Sequence, residues 1–227
     1  MSFDLGVWFQ DVRPSCAAAL ETHQSLCAGE PAAVRHNTAV ARFHAALVAE
    51  FPEAEPATDE SSPWSAGLDV GDGYVLMAMQ WGRAAEVAPR VVDLAGQSGL
   101  ICFDPQAGVV HAPPALQSAD ALELQSCVGL PVRDPDLESV ERAVRRLSAD
   151  NWFVILEAPS GRYIQVGTGA RAGAAAGAYA VEFRDGSPER HYRCVLHDRE
   201  QVVSVFVHFT RDPSVRPAEV AWEKTSL

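Results

Sequence analysis

Between Asn151 and Leu196 the chain falls into four short runs, NWFVILEAP, RYIQVG, AYAVEFRDG and ERHYRCVL, separated by glycine, proline and acidic residues. Runs of this length with turn chemistry between them predict an antiparallel meander of four strands. In the last two, Tyr179, Val181 and Phe183 alternate with Ala180, Glu182 and Arg184, and Tyr192, Cys194 and Leu196 alternate with His191, Arg193 and Val195. Successive strand side chains point to opposite faces, so one face is expected to be core and the other polar and open. Helical periodicity lies on both sides of the meander. Leu137, Val140, Val144 and Leu147 recur with Arg142, Arg145 and Arg146 outside, and Val202, Val205, Phe206 and Phe209 form a second stripe. Asp134 with Pro135 predicts the start of the first helix, Asp198 with Gln201 a capping box on the second. Pro213 and Pro217 close that helix, and Val220 and Trp222 in EVAWEK alternate as a last strand.

The N-terminal half reads β-α-α-β-α-β. Phe3 to Phe9 is a short strand, with helices expected from about Ser15 to Ala28 and Ala32 to Phe51, the latter placing Val40, Phe43 and Leu47 on one face. Tyr74 to Gln80 and Leu100 to Phe103 are strands, and Val87 to Ala95 is a helix with Pro89 in its first turn. Glu50 to Asp72 holds three prolines, seven acids and no basic residue, which is loop chemistry. Pro113, Pro114, Pro131 and Pro135 interrupt a weak apolar stretch that reads as a seam. The expected organisation is therefore an α+β protein of two small domains, residues 1–112 and 134–227, joined by 113–133. Each is a mainly antiparallel sheet with helices packed on one face.

Charge changes the picture more than length does. The chain has 227 residues and a net charge of −12. Residues 1–131 carry five arginines against sixteen acids, so the acidity belongs to the N-terminal half. Such a surface repels nucleic acid and steers basic proteins toward itself. The five cysteines are odd in number and scattered without a CxxC pair, which reads as reduced thiols. No run approaches a membrane span, and Asp4 stands where a signal peptide would be basic or apolar, so a cytoplasmic protein without membrane contact is expected.

Catalytic patterns are weak. His36 and His44 are about 12 Å apart along a helix and cannot share one metal ion. His191, His197 and His208 lack a metalloprotease spacing, and GTGARAG, Gly167 to Gly173, lacks both the P-loop ending and the dinucleotide spacing, so a flexible hairpin loop is expected there. Cys102 in its ICF strand reads as apolar filler. No catalytic, cofactor-binding or metal-binding residue is assigned. Trp64, following a proline in the acidic loop, either presents itself to a partner or tucks back onto its own domain.

The run FVILEAPSGRYIQVG, a glycine-rich gap, AYAVEFRDGSPERHYRCV, a helix and a closing tryptophan strand resembles the deaminase-associated immunity protein family of bacterial polymorphic toxin systems. The resemblance covers residues 134–227 and is most specific over VEFRDGSPERHYR. The preceding half, with SPW, WGRA and CFDPQ, is similar to uncharacterised actinobacterial domains. The resemblance implies a non-enzymatic inhibitor that binds a toxin domain, a nuclease or nucleic-acid deaminase, and occludes its active site. A basic toxin would be the fitting partner for an acidic chain. The candidate contact residues are Tyr163, Gln165, Glu182, Arg184, His191 and Arg193 on the open face, with Glu53, Glu55, Asp59, Glu60 and Trp64 in the acidic loop. Glu182 and Arg193 have a plainer role open to them, as a cross-strand ion pair. Two alternatives stand beside this reading: a small-molecule hydrolase using Cys102 or His111 in a cleft between the domains, and a non-catalytic regulatory module.

Overall fold

The computed structural model describes residues 2–30, 32, 34–53 and 62–225. The chain divides into two compact units, Met1–Gln117 and Ser118–Leu227, and the architecture is α+β with two antiparallel sheets.

In the first unit β1 (Ser2–Trp8) is the central strand. It is joined by β2 (Asp69–Gly71), β3 (Tyr74–Gln80), β4 (Ile101–Asp104) and β5 (Val109–His111) in the order β2-β3-β1-β4-β5, every pair antiparallel. The helices are α1 (Cys16–Cys27), α2 (Thr38–Glu50) and α3 (Ala84–Gln97). The Ser15 and Asn37 side chains cap the first two by accepting from the Ala18 and Ala39 N–H groups. The period of β1 divides the core. Trp8 joins Leu76, Ile101 and Phe103 in one cluster with Cys16, Ala19 and Leu26 of α1. Leu5 and Val7, on the other face, lie in register with Met77, Val75 and Cys102, all buried. On that side α2 and α3 pack on each other and on the strands, with Val40, Phe43, Leu47, Val87 and Val91 buried. A single helical layer was expected, and this sheet instead has helix on both faces. Gly6 makes the close approach of α1 possible, because a Cβ there would stand 2.9 Å from the His23 ring.

The second unit holds a seven-stranded sheet, ordered β12-β11-β10-β9-β8-β6-β7. The meander is its body: β8 (Phe153–Glu157), β9 (Tyr163–Thr168), β10 (Tyr179–Arg184) and β11 (His191–Leu196). The edges are β6 (Glu123–Ser126) with β7 (Val132–Arg133) on one side and β12 (Glu223–Thr225) on the other. The helices α4 (Leu137–Arg145) and α5 (Arg199–Arg211) pack together, burying Val140, Val144, Val202, Val205, Phe206 and Phe209. Against them stand Val154, Leu156, Ile164, Val166, Val181 and Phe183, one face of β8, β9 and β10. Phe183 meets Phe209, Tyr192 and Trp222 at ring separations of 6.1, 6.4 and 6.0 Å.

Several boundaries differ from expectation for identifiable reasons. The division falls at Gln117/Ser118, and most of the supposed seam, 113–133, is structured: β6 and β7 complete the second sheet. Asp134 is not the helix cap. It takes a left-handed conformation, φ 56°, and its carboxylate accepts from the Ser118 N–H and hydroxyl. Asp136 caps α4 by accepting from the Ser139 N–H at 2.8 Å. A 3-10 turn, Trp81–Arg83, leads into α3, which starts three residues earlier than expected and carries Pro89 inside rather than in its first turn. The last strand begins after Trp222, whose indole N–H donates to the Pro217 carbonyl at 2.6 Å.

Candidate binding face on the second sheet

The strands β9, β10 and β11 hold their polar residues in register. Glu182 lies opposite Gln165 on one side and Arg193 on the other, and Arg184 opposite Tyr163 and His191. This brings all six expected residues together on the face away from α4 and α5. Their order is tighter than a solvated row. The Gln165 amide donates to Glu182 Oε2 at 2.6 Å, and His191 Nε2 lies 3.4 Å from both that oxygen and the Tyr163 hydroxyl. The Arg184 guanidinium stands over the Tyr163 ring, 5.9 Å from its centroid. Burial first, and the Glu182 carboxylate second, push the Tyr163 phenol above its usual pKa.

His191 needs correcting as a contact residue. It is 1% exposed, beneath the Tyr163 ring edge, and supports the face rather than forming its surface. Its Nδ1 and the Arg184 Nε are buried without a hydrogen-bond partner among the described residues. The cross-strand pair of Glu182 and Arg193 is loose, 4.0 Å from Oε1 to Nε, because the Arg193 terminal nitrogen donates instead to the Ala172 and Gly173 carbonyls at 3.3 and 3.4 Å.

Those carbonyls belong to the glycine-alanine segment expected to be a flexible loop. It carries a 3-10 turn, Ala170–Ala172, and folds back onto the open face so closely that a Cβ on Gly167 would lie 2.4 Å from that of Ala172. Thr168 anchors it through its hydroxyl to the Ala178 carbonyl, at 3.1 Å. Between this turn and the strands lies a cavity of about 420 Å³, lined by Trp152, Phe153, Gln165 and Glu182 together with Arg171 and Ala172 of the turn. Neither aromatic was expected at a site. The available signal was Gly167 itself, a glycine within a strand pattern, which marks close approach of another chain segment.

The acidic loop fares differently. Glu55, Asp59 and Glu60 lie outside the described residues. Glu53 pairs with His44 Nε2 at 2.9 Å. Trp64 is tucked in and is not an anchor: it is 1% exposed, bridges to Met79, and donates its indole N–H to the Phe51 carbonyl at 3.2 Å. Burying its ring removes one of the largest apolar surfaces in the unit from water.

The suggested catalytic residues are in the first core. Cys102 and His111 face each other in the β4–β5 register, and Cys102 is fully buried. Burial, and then the Asp104 charge, push its thiol far above the usual range, so a thiolate nucleophile is disfavoured there. Burial, and then the Arg13 charge, lower His111 to about 4. A His–Cys contact that sequence reading passed over lies on α1, with Cys27 Sγ 3.7 Å from His23 Nδ1. Burial lowers the histidine and raises the thiol, which is opposite to what an activated pair requires. His36 contacts the Asp72 carbonyl, at 3.2 Å. Among the described residues no three His, Cys, Asp or Glu side chains converge as a metal site, and no helix is long and apolar enough to cross a membrane. Compared with known proteins, the chain matches no family model, no curated protein and no solved structure.

Proposed function

We propose that this protein is an immunity protein, a cytoplasmic inhibitor that binds a cognate bacterial toxin domain and occludes its active site. One observation carries the reading: rigid strands present Tyr163, Gln165, Glu182, Arg184 and Arg193 on a sheet face opposite both helices of the unit. Residues held by a strand ladder lose little freedom on binding, and that favours a tight complex. The charge of −12 supports a basic partner, a nuclease or nucleic-acid deaminase, through faster encounter. The hydrolase alternative rested on Cys102 and His111, and their burial in the first sheet speaks against it.

The test is capture of the tagged protein with the product of its adjacent gene, followed by gel filtration at low and moderate salt. A stoichiometric complex that abolishes the partner's activity on nucleic acid is expected. A partner that remains active in the complex, or no complex at either salt, would overturn the reading.

A further inference from the structure

The cavity beside Gly167 is lined by Trp152, Phe153, Gln165, Ala180 and Glu182. Glu182 is half-buried, and its two oxygens are not equivalent. Oε2 is occupied by the Gln165 amide at 2.6 Å and by His191 at 3.4 Å. Among the described residues Oε1 has only Arg193 Nε, at 4.0 Å and beyond hydrogen-bond reach, because the turn carbonyls of Ala172 and Gly173 hold the end of that arginine. Glu182 lines a cavity of about 420 Å³ and keeps one carboxylate oxygen with open lone pairs. Two of its lining residues are aromatic, Trp152 and Phe153, with rings set edge to face at 5.1 Å, and the small Gly167 and Ala180 leave room beside them.

An acid and two aromatic residues lining one cavity suit a flat cation. We propose that this cavity receives an arginine side chain of the bound protein, its guanidinium donating to Glu182 Oε1 and lying against the Trp152 and Phe153 rings. The inference deepens the inhibitor reading and rests on it for the source of that arginine. Arg171, exposed and also lining the cavity, has no carboxylate within 4 Å among the described residues. It repels an incoming cation, so the two charges beside the cavity act with opposite sign.

The test uses the full chain and two small probes, the blocked amides of arginine and of its neutral isostere citrulline, followed by NMR of the Trp152 indole and the Gly167 and Ala172 amides. Saturable shifts with the arginine amide are expected, with citrulline at least about tenfold weaker, the worth of a hydrogen bond between charged groups. Glu182→Gln should weaken the arginine probe by about tenfold, and Arg171→Ala should strengthen it by roughly twofold. A misfolded variant cannot produce a gain. Equal binding of both probes, or no saturable shift at the solubility limit, would overturn the proposal. A complex with the neighbouring gene product that is indifferent to Glu182→Gln would sink the arginine seat and spare the inhibitor reading. Arginine uptake without any such complex would do the reverse.

Discussion

The two sheets differ in what lies on their second face. In the first, both sides of β1 are apolar: Trp8 goes under α1, and Leu5 and Val7 go to the side of α2 and α3. Every strand of that sheet's centre is therefore committed to the core, and titratable groups caught there, Cys102 and His111, are buried with it. In the second, α4 and α5 cover one side, and Gln165, Glu182, Arg184 and Arg193 occupy the other. An antiparallel sheet needs only one apolar face to be stable. The first sheet spends both of its faces on stability, whereas the second keeps one for chemistry, and a binding site is to be sought there.

The largest effects should come from the cores. Trp8→Ala and Phe43→Ala, on opposite faces of the first sheet, should each cost about 3–5 kcal/mol in urea unfolding. Phe183→Ala, at the centre of the second core, should cost a similar amount. Val195→Ala, on the open face and 53% exposed, should cost no more than about 1 kcal/mol. A Val195 penalty as large as that of Phe183 would mean that the second sheet is covered on both sides like the first.

Acid should separate the units next. His111 in the folded first unit sits near 4, against an ordinary value of 6.5. As pH falls the unfolded chain takes up that proton first, so the contribution is complete above 6.5, is lost progressively down to about 4, and is flat below. The full loss is about 3 kcal/mol, from the free energy of a pKa shift of this size. Unfolding of the wild type and of His111→Leu across this range checks it: the wild type should show the steeper pH slope. Parallel slopes would remove His111 from the account.

A smaller effect probes the turn over the open face. Gly167→Ala forces its Cβ against that of Ala172, which should destabilise the second unit by about 1–3 kcal/mol, as overpacking does, and leave the unfolding of the first unmoved. Adding Ala172→Gly should restore most of the loss. Without that rescue, contact with the turn is not what Gly167 secures.

The pattern along the chain told most about the regions where one period runs uninterrupted. The four meander strands alternate cleanly between turn residues, so their pairing and their two faces could be read directly. Four of the shorter strands could not: β2, β5, β6 and β7 have two to four residues each, too few to display a period, and Pro131 stands beside β7. Face is also not burial. Alternation put His191 on the polar side, but the Tyr163 ring that covers it comes from a strand 28 residues away. The glycine-alanine turn carries no apolar pattern at all, and its packing follows from the backbone carbonyls it offers to Arg193.

The weakest expected effect concerns the pair at the centre of the open face. Had Glu182 and Arg193 been there for stability, they would meet at hydrogen-bonding distance; they stand 4.0 Å apart with side chains 21% and 37% exposed. A double-mutant cycle with Glu182→Gln and Arg193→Gln should therefore give a coupling below about 0.5 kcal/mol in folding. The cycle of Glu182→Ala with Gln165→Ala should give more, since that contact is a charge-assisted bond of 2.6 Å. A large coupling to Arg193 would show that Glu182 Oε1 is already engaged and would make this face a structural one, like both faces of the first sheet. A small coupling leaves that oxygen available, because its nearest cation is bound to the turn and not to it.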